Sequence, residues 1–141
     1  MKLKDGVEVI ECLDEEDPGS EGHCLRNIFR LMEVKSKYSS VNSIEDLIAL
    51  IAESRYKYIH VSAHGKVSAR GKFSGWWTPN GIGSRKNFTK YSFKSNAVAI
   101  VSTACMSGSE GFGKFIVNDL GAKYYIGPSR SPKFYINAAI K

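Results

Sequence analysis

The chain has 141 residues, of which 43% are hydrophobic and 24% charged, and its formal net charge is +6. This length fits one domain with its own core, so we predict a single domain over residues 1–141. No apolar run approaches the roughly 18 residues of a membrane span. Residues 1–5 lack the apolar stretch of a secretory signal, so a cytoplasmic protein is expected.

Two further features of the composition, the cysteines and the basic residues, limit the functions that are expected. The three cysteines, Cys12, Cys24 and Cys105, are an odd number without regular spacing, which is unfavourable for a disulfide framework. In a reducing compartment they are expected to stay free. The basic residues are scattered, and the densest cluster, residues 86–94, is interpreted as a solvated face. A nucleic-acid partner is therefore not favoured.

The first half of the chain alternates between strand and helix patterns. Residues 7–12 are apolar and β-branched and predict a strand, which an acidic loop over residues 14–21 follows. A helix is predicted where four apolar residues recur at helical spacing, namely Leu25, Ile28, Phe29 and Met32. Ser43, three residues before Asp46, predicts the start of a second helix. The apolar face of that helix comprises Ile44, Leu47, Ile48 and Ile51.

The second half continues the alternation. Residues 58–63 and 97–101 predict buried strands, because near-continuous apolar runs suit a sheet covered on both faces. A helix is predicted around Phe112, Phe115, Ile116 and Leu120, ending at Gly121. Residues 124–126 predict a last strand, and residues 134–140 the start of a helix.

Helices between short apolar strands predict an α/β fold with a mostly parallel central sheet between two helical layers. Residues 65–96 interrupt this pattern with five glycines and a Pro79-Asn80-Gly81 turn signal. We interpret residues 73–82 as a hairpin that projects from the main sheet. It carries Trp76 and Trp77, which either stack on a ligand or, as is more usual for such aromatics, cover the hairpin or pack in an interface.

Reactive side chains follow two of the predicted strands. The strand over residues 58–63 leads into His64 and Gly65, and the strand over residues 97–101 leads through Ser102 and Thr103 into Cys105. Sites in open α/β sheets form beyond the carboxyl ends of the strands. If the two strands are neighbours, an imidazole and a thiol emerge at one edge, where His64 can take the thiol proton.

These two blocks, YIHVSAHG and AVAIVSTACMSG, resemble the caspase-like cysteine peptidases of clan CD, most closely the CHAT-type and short prokaryotic caspase-like domains. The resemblance implies a three-layer caspase-like sandwich and peptide-bond hydrolysis, in a group that often serves prokaryotic defence or stress responses. A complete domain of this kind usually adds another strand or helix, so three alternatives stay open: a C-terminal truncation, a minimal domain, or half of an assembly. Caspases carry glutamine two residues before the nucleophile, where this chain has Thr103, so a caspase-type preference for aspartate does not follow.

The resemblance assigns the roles residue by residue. His64 is the general base, Cys105 is the nucleophile, and the backbone N–H groups of Gly65 and Cys105 form the oxyanion hole. We expect Ser102 and Thr103 to line the substrate-binding site. The expected partners are a protein or peptide substrate and a regulatory protein, and neither a membrane, a metal nor a cofactor is required.

Structural interpretations stand beside these assignments. Cys105 can be a buried structural thiol, and His64 can simply cap a turn beside Gly65. His60, inside its strand, is interpreted as a core or sheet-face histidine. His23 adjoins Cys24, but no second histidine or CxxC motif completes a zinc set. The alternative function is a non-catalytic caspase-like or flavodoxin-like module that binds a protein or nucleic-acid partner.

Overall fold

The computed structural model describes residues 2–13 and 21–129. Its strands are β1 (Lys4–Cys12), β2 (Ser36–Ser40), β3 (Tyr56–Ala63), β4 (Gly65–Val67), β5 (Phe73–Thr78), β6 (Gly81–Ser84), β7 (Ala99–Ser102) and β8 (Tyr124–Ile126). Its helices are α1 (Glu21–Leu31), α2 (Ile44–Glu53), α3 (Arg85–Thr89) and α4 (Glu110–Lys114), the last continuing as a π-helix over Phe115–Asp119.

Five parallel strands form the central sheet, in the order β2-β1-β3-β7-β8. Numbered within this sheet alone, the order is 2-1-3-4-5, which is common among doubly wound sheets. The strand β3 lies between β1 and β7, so the segments that follow β3 and β7 leave the sheet side by side. The predicted α/β class with a mostly parallel sheet is confirmed.

Helices lie on both faces of this sheet. Ile10 and Glu11 are consecutive in β1 and therefore point to opposite faces. Ile10 packs in the main core with Leu47 of α2, and neither side chain is exposed to solvent. Glu11 accepts a hydrogen bond from the N–H of Gly22 in α1 (2.8 Å). None of the helices in the described ranges is long and apolar enough to cross a bilayer.

The glycine-rich segment forms a second sheet of three antiparallel strands, β4-β5-β6. The predicted hairpin is present as β5 and β6, and it does not pair with the central sheet. It packs on the core instead of projecting from it. Trp76 is fully buried, and the centroid of its ring lies 5.0 Å from the ring centroid of Phe112 and 6.0 Å from that of Phe88. Because this indole is buried among core side chains, the hairpin lies against the core.

Several boundaries differ from the sequence-based predictions. Glu21, assigned to a loop, begins α1, and Met32 lies beyond the end of this helix and is 65% exposed. The edge strand β2 was not predicted, because its sequence SKYSS lacks an apolar alternation. The cap of α2 is as predicted, since Ser43 accepts a hydrogen bond from the N–H of Asp46 (3.2 Å). The helix predicted over residues 134–140 lies outside the described residues.

Candidate active site

The segments that carry His64 and Cys105 meet at the carboxyl edge of the central sheet. The strands β3 and β7 are hydrogen-bonded neighbours, with Val61 opposite Ser102. The N–H of Thr103 bonds the carbonyl of Val61 (3.3 Å), which carries the pairing past the end of β7. His64 follows β3 directly, and its side chain, like that of Cys105, is half-buried.

Gly65 lies directly against the backbone of Cys105. A Cβ atom at position 65 would collide with the carbonyl oxygen of Cys105, and it would lie 3.1 Å from the nitrogen of the same residue. Real side chains do not tolerate such an approach, so this position requires glycine on steric grounds. The His-Gly pair and the cysteine, which are 40 residues apart in the sequence, are therefore in contact through their backbones.

Cys105 stands at the corner of a tight turn. The N–H of Ser107 bonds the carbonyl of Ala104 (3.1 Å), so Cys105 and Met106 are the two central residues of this turn. Met106 has a φ of 59°. Left-handed backbone is uncommon for a residue other than glycine and is expensive to maintain. The sharp reversal leaves Cys105 partly accessible at the tip, while Ala104 and Ser107 on either side are buried.

Two backbone N–H groups at this edge are available to a ligand. The N–H of Trp77 bonds the carbonyl of His64 (2.8 Å), so Gly65 and Trp76 are a non-hydrogen-bonded pair of the ladder. The N–H of Gly65 consequently points away from β5. The N–H of Cys105 has no acceptor in residues 2–13 and 21–129. These are the two groups expected to form the oxyanion hole.

The hairpin also supports His64 through Trp77. The ring of Trp77 lies edge-on to the imidazole, with 6.1 Å between the ring centroids. Together with the hydrogen bond to the His64 carbonyl, this contact limits the orientations open to the residue. Of the two tryptophans, Trp76 thus belongs to the core and Trp77 to the edge of the site.

Ser102 differs from its predicted role. Its side chain is only 2% exposed, and its hydroxyl bonds the indole nitrogen of Trp76 (2.9 Å) and the hydroxyl of Ser107 (2.7 Å). A hydroxyl held in this way inside the core does not fit direct contact with a substrate. Ser102 instead supports the turn that carries Cys105. This structural role of Ser102 could not be predicted from the sequence, because a serine in a buried strand fits the pattern as any other small residue does.

Thr103 has a partner that the sequence did not reveal. Its hydroxyl donates to a carboxylate oxygen of Glu21 (2.5 Å), and the same oxygen lies 3.0 Å from Nε2 of His60. His60 is 9% exposed and lies on the sheet face, as predicted. Burial alone would raise the pKa of Glu21, but the hydrogen bonds from His60 and Thr103 outweigh it and lower the pKa overall.

Glu11 forms a second buried carboxylate on the same face of the sheet. It is 3% exposed and accepts hydrogen bonds from the N–H of Gly22 and the hydroxyl of Tyr38. The signal for it was present in the sequence, because an acidic residue interrupts the apolar strand VEVIEC. A buried carboxylate is costly without donors, and α1 and β2 supply them.

The three thiols lie in different surroundings. Cys12 is fully buried, and burial with the nearby Glu11 carboxylate raises its pKa to about 12. Cys24 is exposed on α1, and Cys105 is half-buried at the site. In the part of the chain that the structure describes, no three His, Cys, Asp or Glu side chains gather in a way that would hold a metal ion. No protein-family model matches the chain, and no curated protein is significantly similar to it.

Proposed function

We propose that this protein is a cysteine endopeptidase of caspase-like type, a hydrolase in which His64 and Cys105 form the catalytic dyad. The observation that carries the proposal is the backbone contact between Gly65 and Cys105. It brings a histidine and a half-buried thiol to the carboxyl edge of two adjacent parallel strands, where α/β sheets build their sites. The parallel sheet, helices on both faces and order 2-1-3-4-5 support a caspase-like sandwich.

The first half of the reaction forms an acyl-enzyme. His64 takes the proton of the Cys105 thiol, and the sulfur attacks the scissile carbonyl carbon. The carbonyl electron pair moves onto the oxygen, which the N–H groups of Gly65 and Cys105 stabilise. A single donor of this kind typically contributes about 100- to 1,000-fold in rate. As the C–N bond breaks, the imidazolium of His64 gives its proton to the leaving amine.

The second half releases the acyl group. Water attacks the thioester carbon while His64 accepts one of its protons, and the C–S bond breaks to return the thiolate. The products are a carboxylic acid and an amine, and no cofactor takes part. We infer a cytoplasmic setting, where reducing conditions keep Cys105 free. Thr103, which is half-buried and lies two residues before Cys105, remains our candidate for substrate contact.

The test exploits the three cysteines as internal references. The thiolate, and not the thiol, is the form that reacts with iodoacetamide, and the proposed mechanism requires His64 to take the proton of Cys105. Mass spectrometry after brief iodoacetamide treatment should therefore show Cys105 labelled about tenfold faster than exposed Cys24.

Two variants, each with a matched control, distinguish a catalytic cysteine from one that is merely exposed. His64→Ala should reduce the labelling of Cys105 to the rate of Cys24, whereas His23→Ala, which removes an exposed histidine of α1, should leave it unchanged. Peptide-library cleavage should disappear in Cys105→Ala and persist in Cys24→Ala. Equal, slow labelling of Cys105 and Cys24 in the wild type would instead favour a module that binds a partner without cleaving it.

A further inference from the structure

A continuous chain of buried hydrogen bonds runs beneath the turn that carries Cys105. It begins at the indole nitrogen of Trp76, which lies 2.9 Å from the hydroxyl of Ser102. That hydroxyl lies 2.7 Å from the hydroxyl of Ser107, which lies 2.7 Å from the carbonyl oxygen of Ala104. All four residues are at most 2% exposed. Solvent therefore offers these groups no alternative partners.

The direction of every proton in this chain follows from donor chemistry. An indole N–H can only donate, and a backbone carbonyl can only accept. Ser107 must therefore give its single hydroxyl proton to Ala104. Ser102 accepts from Trp76 and also from the N–H of Ala104 (3.2 Å), so its own proton goes to Ser107. The hydrogen bonds therefore have a single donor-to-acceptor direction, from Trp76 to Ala104, and each bond polarises the next.

These buried hydrogen bonds surround the strained turn that contains Cys105 and Met106. Ala104 precedes Cys105 and Ser107 follows Met106, so the bonds hold both ends of the reversal that contains the left-handed Met106. The hydroxyl of Tyr125 adds a bond to the carbonyl of Ser107 (2.7 Å) from β8. Strained backbone of this kind persists only where surrounding contacts over-determine it.

The hairpin strand β5 serves both halves of the site through consecutive residues. The side chain of Trp76 starts the chain that reaches the Cys105 turn, and the backbone N–H of Trp77 bonds the carbonyl of His64. One short strand thereby contacts both the segment that carries Cys105 and the segment that carries His64, in addition to the pairing of β3 with β7 and the backbone contact between Gly65 and Cys105.

We propose that Trp76, Ser102 and Ser107 are positioning residues, whose ordered hydrogen-bond chain holds the Cys105 turn in the conformation that presents the sulfur to His64. This proposal rests on the proposed function, since it assigns the chain a role in the reactivity of Cys105. None of the three residues touches the substrate, and none exchanges a proton with it. Their effect is on the position and rigidity of the turn.

The test compares Ser107→Ala with Ser95→Ala. Ser95 is also buried, at 6% exposure, and its hydroxyl accepts one backbone bond, from Ala97, before β7 begins. In Ser107→Ala, the indole N–H resonance of Trp76 should shift, and amide exchange at residue 107, whose N–H bonds the carbonyl of Ala104, should quicken about tenfold. Iodoacetamide labelling of Cys105 should slow about fivefold to tenfold. Ser95→Ala should change none of these three quantities.

A second variant removes the donor at the other end of the hydrogen-bond chain. Trp76→Phe keeps an aromatic ring beside Phe112 but loses the N–H donor together with part of the ring volume. It should slow the labelling of Cys105, and far-ultraviolet circular dichroism should show that the fold is retained. If Cys105 is reactive in the wild type but Ser107→Ala and Trp76→Phe label within twofold of Ser95→Ala, the positioning role is wrong and the proposed function stands. If wild-type Cys105 reacts no faster than Cys24, both are wrong.

Discussion

Gly65→Ala tests the contact on which the site depends. The added methyl group would collide with the carbonyl oxygen of Cys105, and it would lie 3.1 Å from the nitrogen and from the carbonyl carbon of that residue. Ordinary van der Waals contact begins near 3.4 Å. All three of these neighbours are backbone atoms of Cys105, so no flexible side chain can move aside. The two segments must separate by about 1 Å to accommodate the methyl group.

This separation has two measurable consequences. Overpacking of this kind typically costs about 1–3 kcal/mol in the free energy of unfolding. A displacement of about 1 Å at a catalytic centre can also lower the rate by as much as 100-fold. We therefore expect Gly65→Ala to unfold at a lower urea concentration and to lose most of the rapid iodoacetamide labelling of Cys105.

Gly111→Ala is the matched control, because a Cβ at position 111 meets nothing within 4 Å. This residue lies in α4, where alanine is favoured over glycine, so we expect a gain of up to about 0.5–1 kcal/mol and unchanged labelling of Cys105. Wild-type stability and labelling in Gly65→Ala would refute the close approach. A loss of stability with undiminished labelling would show that the contact exists but does not position a reactive dyad.

Three further outcomes are expected. Cys105→Ala should abolish cleavage while leaving the urea midpoint near the wild-type value, because the side chain is only half-buried; a sharp fall of that midpoint would indicate a structural thiol instead. Cys12, whose pKa is raised to about 12 by burial, should resist alkylation at neutral pH until the protein unfolds, and prompt labelling in native buffer would contradict its burial. The carboxyl of Glu21 has a pKa lowered below its ordinary 4.5, so its stabilising contribution is present above that pH and is lost as the pH falls through the folded-state value. Glu21→Gln should therefore show a smaller loss of stability on acidification than the wild type, and identical acid unfolding curves would refute this linkage.

The sequence by itself was sufficient to predict the buried strands and to show which strand ends carry reactive side chains. Apolar, β-branched runs at residues 58–63 and 97–101 have few alternatives to a buried parallel strand, and both correspond to observed strands, β3 and β7. The polar edge strand β2 carries no such signal, because its pairing depends on a free edge of β1 and not on its own side chains. Local pattern therefore predicted the apolar strands, including the edge strand β8, and missed only the polar edge strand β2 among the strands of the central sheet.

Only the tertiary structure decided which strand ends are neighbours. Nothing local in the sequence requires β7 to lie beside β3, yet this order alone brings Gly65 against Cys105. The same holds for Trp76, whose burial and bond to Ser102 depend on how the second sheet packs. Periodicity shows which face of its own element a residue occupies. A site also requires the correct placement of elements relative to one another, and long-range packing fixes that placement.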